Sequence, residues 1–120
     1  MNQSLSRFFK AFVYAKKGIV VAIADQRNLK VQIAVALVTI GAGFYFQITD
    51  LEWCVILLMI ALVISLEMMN SAAENLVDLV TREYSALGGK VKDIAAGAVL
   101  FASIIAVIIG VLIFRKYLLI

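Results

Sequence analysis

The sequence predicts an all-α membrane protein in which one amphipathic surface helix precedes three transmembrane helices. Of its 120 residues 64% are hydrophobic and none is proline, a composition too apolar for a soluble domain and a length that suits one compact unit, residues 1–120. The apolar residues also gather into three runs of about twenty, each long enough at 1.5 Å per residue to cross roughly 30 Å of hydrocarbon.

The surface helix is predicted over about residues 4–24. Leu5, Phe8, Phe9, Phe12, Ile19, Val20 and Ile23 recur at helical spacing, with Arg7, Lys10, Tyr14 and Lys17 on the opposite side. Between the faces runs a small-residue row, Ala11, Ala15, Gly18 and Ala22, suited to close approach of another helix. The first span is expected at 29–48, ending in the aromatic belt Phe44, Tyr45 and Phe46. A short acidic connection, Gln47 to Glu52, leads to Trp53, an interfacial anchor that opens the second span at 53–70. That helix continues out of the bilayer. A polar loop from Thr81 to Lys92, with Gly88 and Gly89 as its helix break, precedes the third span at 94–114. There Ala98, Ala102, Ala106 and Gly110 form a helix-packing seam.

Lys and Arg set the orientation. Arg7, Lys10, Lys16, Lys17, Arg27 and Lys30 lie at the first span's entry, and Arg82, Lys90 and Lys92 lie between spans two and three, whereas Gln47 to Glu52 carries none. Both basic segments, and with them the N-terminus, are expected in the cytoplasm; Arg115 and Lys116 then fall outside as an exception. The cationic N-terminal segment lacks the pattern of a cleaved signal peptide. There is one cysteine, Cys54, and no histidine, which excludes disulfide frameworks, zinc sites and Cys/His or Ser/His nucleophile pairs within one chain. Chemistry is left to carboxylates, amides, hydroxyls and Lys/Arg.

The carboxylates concentrate in LEMMNSAAENLVDLV, Leu66 to Val80. Glu67, Asn70, Glu74 and Asp78 are spaced by three, four and four residues and so share roughly an 80° stripe of one helical face. An ionisable group inside a membrane span marks a functional site by default. With Lys92 and Asp93 entering from the next helix, such groups can hold Mg²⁺ on a polyphosphate and take a proton from an alcohol. No GxxxxGK[ST] loop is present, so an ordinary P-loop enzyme is excluded. Two classes remain at this point: a phosphoryl-transfer or metal-dependent lipid enzyme, and a proton- or cation-coupled carrier or channel.

LEMMNSAAENLVDLV, followed by EYSALGGKVKDIAAGAVL, resembles the signature of the small bacterial diacylglycerol kinase/undecaprenol kinase family of integral membrane lipid kinases. The likeness extends back through Gln26-Arg27-Asn28 and the cationic helix with Arg7, Tyr14, Lys17 and Gly18. The forms GFYFQI…LEW and GKVKDIAAGAVL look closer to undecaprenol-kinase-like members, without fixing the substrate. The resemblance implies a homotrimer in the bacterial cytoplasmic membrane, with composite active sites at the cytoplasmic interface, Mg²⁺ as cofactor, ATP as phosphoryl donor and no nucleic-acid partner. It implies that Glu67 is the general base and Glu74 a magnesium ligand. Arg7, Tyr14, Asn70, Glu74, Asp78, Glu83, Tyr84, Ser85, Lys92 and Asp93 match nucleotide-site residues, and Arg7, Lys17 and Glu67 lipid-site residues. Two positions depart from the pattern. Gln26 stands where the family has a second metal-binding glutamate, with Asp25 beside it as a substitute, and Ser85 follows Tyr84 where histidine is frequent. A catalytically weakened lipid-binding member is therefore a further reading.

Overall fold

The computed structural model describes residues 2–119 as four helices, α1 (Gln3–Asp25), α2 (Arg27–Phe46), α3 (Asp50–Val80) and α4 (Ala86–Leu118), and the described residues contain no strand. The last three are long and apolar enough to cross a membrane. Helices α3 and α4 form a long antiparallel hairpin, α2 leans on α3, and α1 touches both α2 and α3 lightly. The result is a slab of 55 × 49 × 21 Å.

Each helix end has a local cause. Asn2 caps α1, its Oδ1 accepting from the Ser4 amide at 3.1 Å. No residue of α1 is buried, so its Phe8, Phe9 and Phe12 rings, packed edge to face on one another, present bare hydrocarbon as a membrane-surface helix does. A single extended residue, Gln26, separates α1 from α2; its N–H donates to the Ala22 carbonyl at 3.0 Å. Helix α2 stops at Phe46, two residues short of the expected span, because Gln47 turns left-handed at φ 53° and Ile48 N–H closes on the Gly43 carbonyl at 3.1 Å. Helix α3 starts earlier than expected, at Asp50. Thr49 and Glu52 form a reciprocal capping box, with Glu52 N–H to Thr49 Oγ1 at 3.2 Å and Thr49 N–H to Glu52 Oε1 at 3.0 Å. The acidic connection is thus largely the first turn of a helix.

The expected glycine break is corrected. Gly88 and Gly89 lie inside α4, and the loop is only Thr81 to Ser85. Ser85 overrides the glycines: its Oγ accepts from Gly88 N–H at 3.2 Å and its carbonyl from Gly89 N–H at 2.9 Å, which starts the helix. Gly88 is needed there for another reason. A Cβ on it would lie 2.9 Å from Cγ1 of Val77, so its lack of a side chain lets α3 and α4 meet closely beside the loop.

The interior of one chain is thin: among the described residues the buried apolar ones are Leu29, Ala36, Ile48, Ile56, Val99 and Ala102. Of the predicted seam, Ala102 is buried, Ala106 and Gly110 are half-buried and Ala98 is exposed. At the end remote from the Thr81–Ser85 loop, Phe44 packs on Trp53 with centroids 4.9 Å apart, and Phe46 meets Phe114 and Tyr117. There Lys116 Nζ pairs with Glu52 Oε2 at 2.7 Å and the Tyr117 hydroxyl donates to Glu52 Oε1. Lys116, then Tyr117 and the Thr49 amide, hold the Glu52 carboxyl down at about 2. The Lys116 cation at this end is neutralised by an acid of α3.

Candidate functional site

The polar stripe of α3 is a ladder that climbs from the interior to water. Counted along the helix from Trp53, Glu67 lies about 21 Å away, inside a 30 Å hydrocarbon layer, and Asp78 about 38 Å away, beyond it. Burial follows the same order: Glu67 is 3% exposed and Asn70 8%, Glu74 is half-buried, and Asp78 is exposed. Ser71 is buried beside Asn70.

Glu67 is satisfied from α2. Gln32 Nε2 donates to its Oε2 at 3.2 Å, a bond that offsets part of the cost of keeping a carboxylate out of water. The reading from sequence alone missed Gln32. Its signal was available, as the one amide in the apolar run from Leu29 to Phe46, but which face of α3 it meets is a tertiary fact. Two side-chain oxygens, one on α2 and one in the ladder, have no partner: Gln32 Oε1 and Asn70 Oδ1 are both buried and unbonded.

Two cavities flank the ladder. An apolar groove of about 380 Å³ runs between α2, α3 and α4, lined by residues such as Val31, Val35, Ile60, Ile64 and Val107, and Gln32 is part of its wall. The other is a polar cleft of about 360 Å³ around the α3–α4 loop, lined by Val77, Asp78, Thr81, Arg82, Glu83, Tyr84, Ser85, Gly88, Gly89 and Lys92. Lys92 Nζ bonds Asp78 Oδ1 at 2.9 Å across it. Thr81 Oγ1 accepts from Glu83 N–H at 3.2 Å and shapes the loop, leaving the Tyr84 ring 92% exposed.

The structure therefore brings Asp78, Glu83, Tyr84, Ser85 and Lys92 around one cleft, with Asp93 exposed next to Lys92. Arg7, Tyr14 and Lys17 are exposed on α1, where Lys17 Nζ lies 5.9 Å from the Tyr14 ring centre. Among the described residues no hydrogen bond or ion pair ties them to the ladder, and Gln26 stands half-buried at the α1–α2 joint. Nor do three His, Cys, Asp or Glu side chains gather into a metal-binding group among the described residues. The donors that do exist, the Glu74 carboxylate and the unpartnered Asn70 oxygen one turn away, are hard oxygens of the kind magnesium takes in small number beside phosphate.

Comparison with known proteins bears on this arrangement. Residues 13–114 match the family model of prokaryotic diacylglycerol kinase; Arg7 lies ahead of that stretch. The chain is 42% identical over 113 residues to the undecaprenol kinase of Bacillus subtilis (strain 168), covering 94% of this chain and 92% of that protein. It is 40% identical over 101 residues to the diacylglycerol kinase of Synechocystis sp. (strain ATCC 27184 / PCC 6803 / Kazusa), covering 83% of this chain and 58% of that protein. To the diacylglycerol kinase of Escherichia coli (strain K12) it is 30% identical, covering 86% and 84%.

Proposed function

The chain belongs to the prokaryotic diacylglycerol kinase family, and from that premise we propose how its residues divide the work of ATP-dependent phosphorylation of a membrane lipid. The observation that carries the division is the position of Glu67, buried where the apolar groove meets the polar ladder. A lipid can bring its tail into the groove and its hydroxyl to Glu67, while ATP occupies the cleft on the water side.

In this reading Glu67 accepts the proton of the lipid hydroxyl as that oxygen bonds to the γ-phosphorus of ATP, and the bond from phosphorus to the β-phosphate bridging oxygen breaks, releasing ADP. Asp78 and Lys92 face the nucleotide with Glu83, Tyr84, Ser85 and Asp93; the phosphates compete with Asp78 for the Lys92 ammonium, and the exposed Tyr84 ring offers a stacking surface. Arg7, Tyr14 and Lys17 add positive and aromatic groups from the surface helix toward nucleotide and lipid headgroup. Glu74 and Asn70 would hold magnesium, with Gln26 as the further oxygen donor. Bound there, the ion would neutralise phosphate charge.

Identity is nearly equal to the undecaprenol kinase, 42%, and to a diacylglycerol kinase, 40%, so undecaprenol and diacylglycerol are examined side by side. Membership leaves the cation-coupled carrier without support. We further propose the bacterial cytoplasmic membrane as location, with the N-terminus and the α3–α4 loop in the cytoplasm. The cation distribution and the neutralised Lys116 support that orientation. A homotrimer is proposed because one chain buries so little of its spans and gathers so few ligands; a second copy would supply both. The test is transfer of radiolabelled γ-phosphate from ATP into undecaprenol or diacylglycerol in mixed micelles. Label in neither lipid rejects the function.

A further inference from the structure

Gln32 is shared between two places described separately so far. It is part of the wall of the apolar groove, and its Nε2 donates to Glu67 Oε2 at 3.2 Å. Because an ionised carboxylate can only accept, the amide atom that faces Glu67 has to be the nitrogen. The oxygen is then held away from Glu67, buried and without a partner. A buried amide oxygen left in that state is costly, and a donor arriving in the groove would satisfy it. Of the two hydroxyls in the groove wall, Thr39 is committed to the Val35 carbonyl at 2.8 Å and Ser103 makes no bond to Gln32 Oε1. Hydrocarbon filling the groove would therefore meet, beside the carboxylate, a carbonyl oxygen that lacks a hydrogen.

We propose that Gln32 is a positioning and specificity-determining residue for the acceptor lipid: Nε2 orients Glu67, and Oε1 accepts a hydrogen bond from the lipid hydroxyl. This rests on the lipid-kinase reading above. The bond holds the hydroxyl oxygen next to Glu67 before reaction; for transfer the O–H turns from Oε1 to the Glu67 carboxylate, which takes the proton as the oxygen bonds to the γ-phosphorus and the bond from that phosphorus to the β-phosphate bridging oxygen breaks, so that ADP leaves and Gln32 is unchanged. A lipid whose hydroxyl is capped fills the groove but leaves Oε1 unpaired, which is the kind of mismatch that polar sites reject most strongly.

The experiment compares wild type with Gln32→Met, which keeps the length of the side chain and removes both polar atoms, in mixed micelles with undecaprenol or diacylglycerol. The lipid KM should rise about tenfold, the factor that about 1.4 kcal/mol represents, and kcat should fall. The ATP KM should stay within twofold, a split that general loss of structure would not give. The methyl ether of the lipid, a poor inhibitor of wild type, should come to bind Gln32→Met about as well as the free alcohol does. If Gln32→Met does not fold, Gln32→Asn retains both polar atoms one methylene short and should show the same rise in lipid KM with an unaltered melting temperature. A lipid KM within twofold of wild type in a folded variant overturns the proposal while the kinase reading stands. Wild type that labels neither lipid brings down both.

Discussion

Glu67 and Gln26 are the two residues whose assignments differ most in support. Glu67 is buried, bonded and placed between groove and ladder, so Glu67→Gln should lower kcat by roughly 10²- to 10⁴-fold, with little change in ATP KM, because it removes a proton acceptor and keeps shape. Steady-state kinetics in micelles measures this; a variant with more than a tenth of wild-type turnover rejects the role. Gln26 has only the resemblance behind it. If it reaches the metal, Gln26→Glu adds charge to a hard oxygen donor and the half-saturating Mg²⁺ concentration should drop. An unchanged value, with activity abolished by Asp25→Asn, would make Asp25 the ligand. That Glu67 and Asn70 share one face was legible from a spacing of three residues in an apolar run, since the helical period alone puts them there. Gln32 was not legible as the partner of Glu67, because no period links α2 to α3.

Helix ends show where local chemistry outweighed the simpler sequence signal. A Gly-Gly pair reads as a break, yet Ser85 three residues ahead of Gly88 is a better start signal than the glycines are a stop. The aromatic run to Phe46 read as a continuing span, yet the chain closes at Gln47 in the left-handed region, where a β-carbon is disfavoured. Replacing Gln47 by glycine should remove that strain, offset by greater freedom of the unfolded chain, for a net gain of about 0.5–1 kcal/mol. Thermal unfolding in detergent measures it; a lower midpoint would show that the Gln47 side chain contributes more than its backbone costs.

At the scale of the whole molecule, the order of one surface helix and three spans was legible because hydropathy acts along the chain, whereas assembly was not, because it depends on faces that only a second copy would cover. Ala102→Leu with Ala106→Leu should disturb the packing of α4, lowering the melting temperature and, on cross-linking, the yield of the proposed trimer. If neither changes, α4 accommodates the added bulk and the row is not a packing seam. The unequal helices have a different consequence. Helix α2, with 20 residues, spans about 30 Å, while α3, with 31, extends about 46 Å. The hairpin therefore stands off the bilayer like a mast, and Glu67 is a mark on it whose depth depends on the thickness of the lipid around it. Short-chain bilayers should lift the mark toward water and long-chain ones submerge it, at a modest energetic cost per ångström of mismatch. Turnover in vesicles of graded acyl length should then pass through a maximum while ATP KM stays flat. Such a chain would report membrane thickness through its rate, and a profile without a maximum would show that α3 slides or tilts to keep Glu67 at constant depth.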